Sequence, residues 1–341
     1  MAGRNLWRKI GIISLLLTGV VCFWGCGKKN VTDSYEQVLS NNIQNGETAE
    51  NIEEHVQDDK ETFPLEKDIE NNKDNAEYLE QAADEQKIVM RPKVKGIFVT
   101  GPMAGTSNME KLIGLVEETE LNAIVMDLKN DEGRITYDMQ IPIVQEVGAD
   151  IRYIQDMEAL IKECKEKNIY LIARIVAFKD PFLVKAKPEW CVHNKDGSIF
   201  QDKDGLAWLN PYEPQVWDYL LKIAEEALRI GFDEVQFDYI RFSTDSGMKN
   251  ADFGTSGEEK NREEIIEDFV KYAAQRVHEA GGAISADVYG MVIDSRVDQE
   301  IVGQNYVEMS RYLDYISPMV YPSHYGPYNY DIPVPDAEPY R

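Results

Sequence analysis

The chain is poor in the residues that build metal and disulfide sites. Only four cysteines and four histidines occur among 341 residues, and Cys22 and Cys26 lie in the first 26. Cys164 and Cys191 remain, and two thiols make no disulfide framework, so both are expected as buried free cysteines. No CxxC or clustered His/Cys spacing there points to a metal, and no organic cofactor is implied. Positive charge is also scarce, with 36 Lys and Arg against 61 Asp and Glu for a net charge of −25. Such a chain lacks a footprint for phosphate backbones, which excludes nucleic acid, disfavours anionic polymers and favours a neutral or cationic ligand. No glycine-rich G-x-G-x-x-G follows the first strand, which lowers a dinucleotide-binding fold.

What is present divides the chain into three parts. In residues 1–26, Arg4, Arg8 and Lys9 precede the apolar run Ile10 to Trp24, which is shorter than the roughly 20 residues that span a bilayer. This reads as an export signal. Gly25-Cys26 resembles the cleavage site of bacterial lipoproteins, making Cys26 the lipidated residue; an uncleaved signal anchor would leave the domain on the same, extracytoplasmic side. Residues 27–90 form an acidic linker, expected to be disordered: positions 33–86 carry 17 Asp and Glu against three Lys, with too few apolar residues to offset chain entropy. Residues 91–341 form the folded domain, and positions 87–341 keep a charge of −16.

From Pro92 onward short apolar runs alternate with amphipathic stretches, the pattern of parallel βα units. Six strands are predicted: Val94 to Thr100, Ala123 to Leu128, Tyr170 to Phe178, Glu234 to Ile240, Ala283 to Tyr289 and Tyr315 to Tyr321. Helices are predicted from a capping box at Ser107 and Glu110 to Glu120, and over Asp156 to Lys167, Pro214 to Ile230, Glu259 to Ala280 and Asp298 to Tyr312. Repetition of this kind specifies an α/β fold, a TIM-type (β/α) barrel. Eight strands complete such a barrel, so the sequence is expected to be truncated after the sixth.

Alternation along each strand assigns Asp127, Arg174, Gln236, Asp238, Ser285, Asp287, Tyr289, Ser317 and Tyr321 to the barrel interior, towards the strand ends where this fold builds its sites. Charges there are costly unless paired or used. Asp127, Asp238 and Asp287 around Arg174 leave an excess of negative charge suited to acid–base work; the alternative is a salt-bridge network that merely plugs the mouth. Trp190 and Trp208 flank a hairpin turning at Lys195-Asp-Gly197, expected to lie over the mouth.

The segments Ile172 to Pro181, Leu209 to Tyr212, Gly231 to Phe242, Ser285 to Gly290 and Ser317 to Pro322 resemble a bacterial glycoside hydrolase family of unassigned specificity, a barrel family related in pattern to the α-amylase-like clan. The resemblance covers about 94–330. It implies hydrolysis of O-glycosidic bonds, with Asp238 as nucleophile or charge stabiliser. The acid/base position, Glu in the related amylases, is occupied by Asp287, and Asp127 is the reserve. Arg174 and Arg241 would orient carboxylates, unless Arg241 is a surface residue; Gln236 would bind sugar, and the rings of Tyr239, Tyr289, Tyr321 and Tyr325 would either stack on sugar or serve in core and loop packing, with His324 binding a hydroxyl or capping its loop. The expected partners are a polysaccharide or oligosaccharide substrate and, through the N-terminal lipid or signal anchor, the membrane; the rival reading is a non-catalytic carbohydrate-binding barrel or an inactive fragment.

Overall fold

The computed structural model describes residues 91–339, all within the second of the two units of the chain, Glu61–Arg341. The proposed signal segment with Cys26 and the acidic linker lie outside the described residues. In chain order the first elements are β1 (Gly96–Val99), α1 (Gly101–Ala104), α2 (Asn108–Glu118), β2 (Ala123–Lys129), β3 (Ile135–Tyr137), α3 (Pro142–Val147), β4 (Asp150–Ile154), α4 (Met157–Glu166) and β5 (Tyr170–Val176). They are followed by β6 (His193–Asn194), α5 (Pro214–Ile230), β7 (Glu234–Asp238), β8 (Ala251–Asp252), α6 (Ser256–Glu259), α7 (Arg262–Glu279), β9 (Ala283–Tyr289), α8 (Arg296–Val302), α9 (Tyr306–Ser310) and β10 (Tyr315–Met319).

Six parallel strands follow one another in the order β1-β2-β5-β7-β9-β10. A sheet that grows in sequence order, without the reversal of a doubly wound sheet, is barrel-like. All six predicted strands are present, but β10 ends at Met319, which leaves Tyr321, expected inside the barrel, exposed beyond it. Ile124, Met126, Leu128, Val235 and Phe237 are fully buried; Phe237 meets Phe269 of α7 edge to face at 5.1 to 5.5 Å, as does Phe178. The opposite face carries the polar residues. The antiparallel bridges Cys191↔Leu209, His193↔Ile199 and Gln201↔Ala207 build the hairpin expected around Gly197.

Three features depart from the sequence reading. β3 and β4 form an addition beside the end of β2, where no strand was predicted. Ser107 makes no side-chain capping bond because its backbone is in the helical region, while the complete capping box belongs to Asn261 and Glu264 at the start of α7. The single helix expected over Asp298 to Tyr312 is two helices, α8 and α9, separated by Gly303 at φ +75°. A Cβ there would stand 2.7 Å from the Arg262 carbonyl oxygen, so only glycine permits the close approach.

β2 contains a bulge: Asp127 pairs with Arg174, but Lys129 pairs with Ile175. The extra residue breaks the alternation. Lys129 thereby enters a fully buried pair, with Nζ 2.9 Å from Asp180 Oδ2 and donating to the Val176 carbonyl at 2.8 Å. Asp180 Oδ1 accepts from the Phe182 and Leu183 amides, capping the turn after β5. Gly133, at φ +77°, leaves the space for that carboxylate, since a Cβ there would meet Oδ1 at 2.0 Å. Asp180→Ala strands the buried lysine charge and uncaps the turn, so it is expected to cost about 3–5 kcal/mol. Lys129→Met with Asp180→Asn, which keeps the cap, should restore much of the loss, read as urea midpoints.

Candidate active site

The register of the strands assembles the site. Asp127 of β2, Arg174 of β5, Gln236 of β7 and Ser285 of β9 stand opposite one another in a single row. Two residues further along the strands, Asp238 lies opposite Val176, and Asp287 lies opposite Ser317 of β10. Continuing the pairing of β7 with β9 by one residue sets Asp287 opposite Asp238.

The Arg174 guanidinium is the hub. Its Nη1 donates to Asp127 Oδ1 at 2.6 Å, its Nη2 to Asp238 Oδ2 at 2.5 Å and to Asp131 Oδ1 at 3.0 Å, and its Nε to Asp238 Oδ2 at 3.1 Å. Arg174, Asp127 and Asp238 are all buried. Although burial opposes the charge, Asp238, Asp127 and Asp131 hold Arg174 still more firmly protonated than usual. Burial dominates at Asp127, whose carboxyl is raised despite Arg174. Phe98 lies under the guanidinium, its ring centre 5.4 Å from Cζ.

Asp238 Oδ1 accepts from the Tyr239 amide at 2.6 Å. Tyr239 takes φ +51°, a left-handed conformation that a non-glycine residue holds only where its surroundings enforce it. Part of that enforcement comes from Gln304. This fully buried amide donates from Nε2 to the Ile240 carbonyl at 3.1 Å and accepts at Oε1 from the Tyr289 amide at 2.9 Å. It ties the chain just past Asp238 to the end of β9.

Asp287 has a different environment. Burial first, and then the Asp238 charge, push its carboxyl up to about 7, while Arg174 and a hydrogen bond with Ser317 pull the other way. Arg174 forms no ion pair with it. Glu234, also raised by burial, to about 6, accepts from Ser285 but begins β7 at the opposite end from Asp238, and belongs to the floor of the barrel.

The carboxylates and the arginine expected inside the barrel therefore converge there. Gln236 borders Arg174 in register and is buried. Arg241 is half-buried and forms no ion pair among the described residues; it lies against the rings of Trp208 and Tyr239, 5.4 and 5.0 Å from their centres. Tyr289 is half-buried at the end of β9. Tyr321 and His324 are exposed and meet edge to face at 5.1 Å beyond β10. Trp208 is buried, with Nε1 donating to Asp202, and so forms the wall behind Tyr239 rather than an open platform. Asp131 and Gln304 escaped the sequence reading: one lies in the loop after β2, and the other was counted within a helix. Cys164 and Cys191 are both buried and free.

No curated protein matches the chain. Among solved structures, a hypothetical protein from Ruminiclostridium thermocellum ATCC 27405 is 39% identical, with a TM-score of 0.52 over 56% of this chain and 97% of that one. The glycoside hydrolase domain of PgaB (BpsB) from Bordetella bronchiseptica is 14% identical, with a TM-score of 0.52 over 68% of this chain and 75% of that one; at such identity the likeness bears on the fold. An α-amylase from Lactobacillus plantarum, at 14% identity and a TM-score of 0.46, is matched over 51% of its own length. The family model described as "Putative glycosyl hydrolase domain" matches residues 96–341, and the chain belongs to that glycosyl hydrolase family.

Proposed function

We propose that the domain is an extracytoplasmic glycoside hydrolase, held at the membrane by its N-terminal segment, that cleaves a polysaccharide with Asp238 and Asp287. One observation carries this reading: two carboxyl groups set side by side in environments of opposite kind. Asp238 accepts hydrogen bonds from a buried arginine and from a backbone amide. Asp287 is half-buried with no ion pair among the described residues, and burial together with the neighbouring Asp238 raises its carboxyl to about 7. Division of labour between two acids is what glycoside cleavage requires, one donating a proton to the departing oxygen while the other stabilises the sugar cation.

The spacing favours one stereochemical course. Adjacent strands run about 4.8 Å apart, so two carboxyl groups opposite one another suit the roughly 5–5.5 Å of retaining enzymes better than the wider gap that admits a water. Asp238 is then the nucleophile, and Asp287 acts first as acid and later as base. Arg174 orients Asp238, and Gln304 with the strained Tyr239 amide fixes the backbone that presents it.

Asp238→Asn is expected to lower turnover about a thousandfold or more, equivalent to about 4 kcal/mol of transition-state stabilisation, while the protein stays folded. The check is hydrolysis across a polysaccharide panel, with the anomer released followed by NMR; turnover within a few fold of wild type in folded protein refutes the assignment.

The raised Asp287 carboxyl makes two further outcomes. Activity that needs the protonated acid should fall as pH rises through about 7, and Asp287→Asn should remove that limb, being milder with activated aryl glycosides than with poor leaving groups. Stability follows the same proton: the native state holds it longer than the unfolded chain, so this contribution is present at low pH and is lost as pH rises through about 7. Asp287→Asn should therefore raise the melting temperature at about pH 8, by progressively less as pH falls, and change it little only below about pH 4, measured by calorimetry.

A further inference from the structure

Two cations at the barrel mouth are not used by the carboxylate cluster. Lys179 lies three residues past β5 and Arg241 three residues past β7, and both are half-buried. They sit against one ring: Lys179 Nζ is 4.7 Å and Arg241 Cζ 5.0 Å from the centre of Tyr239, the residue that follows Asp238.

Half-buried cations in this acidic domain ordinarily have a carboxylate. Arg91 has Asp314, Lys187 has Glu146 and Arg276 has Glu225. Lys179 and Arg241 have none among the described residues. Arg134 and Arg262 also lack an acid, but each donates to two backbone carbonyls. Arg241 donates to one, that of Phe242 at 3.0 Å, and its Nε is buried without an acceptor; Lys179 Nζ donates to none. Tyr239 and Trp208 attract the two cations through their ring faces, but a ring face is a poor substitute for an oxygen acceptor. Nor can the neighbouring acids serve. Asp238 is engaged by Arg174 and the Tyr239 amide, and Asp202 accepts from Trp208 Nε1 and from the Asp204 and Leu206 amides. Burial pushes the Arg241 guanidinium below its ordinary value against the pull of these acids, which marks a cation short of partners.

We infer that Lys179 and Arg241 recognise a negatively charged substituent on the sugar bound next to Asp238, which makes the substrate an acidic glycan. A guanidinium fork and an ammonium point charge are the usual receptors for carboxylate, sulfate and phosphate oxygens. The net charge of the chain argues against anionic polymers, but distant charges are screened beyond about 8 Å at physiological salt, so binding there is set by nearby groups, where Lys179 and Arg241 offset the excess of acids around Arg174. The inference rests on the glycosidase reading for the place of the sugar.

The test measures binding to Asp287→Asn protein, whose asparagine mimics the protonated acid and keeps the Asp238–Arg174 pair intact. Calorimetry compares oligogalacturonate and oligoglucuronate with their carboxyl-reduced counterparts, and a sulfated and a phosphorylated oligosaccharide with their stripped forms. At least one acidic member is expected to bind tenfold or more tightly than its neutral partner, with a preference that shrinks as salt rises; the pair that shows it identifies the anionic group. Lys179→Met and Arg241→Met should each lower the acidic-to-neutral ratio about tenfold, and Arg241→Lys should lower it less. Lys179 Nζ donates no hydrogen bond among the described residues, so its replacement spares the fold if Arg241→Met does not. Equal binding within every pair, absence of binding included, overturns the inference, as does a ratio unmoved by Lys179→Met. Charge-selective binding by a wild type that cleaves nothing keeps the inference and removes the glycosidase reading; cleavage of acidic and neutral glycans at equal rates does the reverse.

Discussion

Everything inside this barrel depends on one buried guanidinium. Arg174 stands between β2 and β7 and gathers Asp127, Asp131 and Asp238, three negative charges around one positive. Without it the two buried acids would have to take up protons or leave the interior, because an unpaired charge there costs several kcal/mol. Its reach also has a limit that matters. Asp287 lies one strand beyond the fork, near enough to feel both Asp238 and Arg174 but paired with neither, and its carboxyl is pushed up to about 7.

Much of this arrangement is legible in the sequence. Period-two alternation located six strands and assigned Asp127, Arg174, Asp238 and Asp287 to one face, because a buried strand presents every second residue to the same side. What alternation cannot reveal is an extra residue. The β2 bulge lies just past the apolar run Ala123 to Met126, and nothing in Met126-Asp-Leu-Lys129 announces that the lysine leaves the face of the aspartate. Helical periodicity fails in a similar way at Gly303-Gln304: the apolar spacing continues through α8 and α9, whereas the break is set by the Arg262 carbonyl, some forty positions earlier in the chain. Gln304 then bonds residues 15 and 64 positions away, a relation that no local pattern encodes. Asp131 was overlooked for a simpler reason, since an acid in an Asn-Asp-Glu-Gly turn reads as solvated surface.

The backbone that carries Asp238 is as important as its charge. β7 ends at Asp238, and the next residue turns left-handed with its amide directed back at the carboxylate. Gln304 holds the chain immediately beyond that turn against the end of β9. Carboxylate, amide and neighbouring strand are therefore positioned together before any ligand arrives, which is how a site keeps reorganisation small.

The bulge in β2 has a wider meaning for how such a protein can change. Because it sends Lys129 to Asp180 while Asp127 stays with Arg174, two ion-pair systems share one strand without sharing a partner. One secures a turn and is sealed from solvent; the other reaches solvent at Asp131. A substitution among the acids around Arg174 therefore leaves untouched the sealed pair that anchors the scaffold. A single inserted residue thus separates inheritance of shape from inheritance of chemistry.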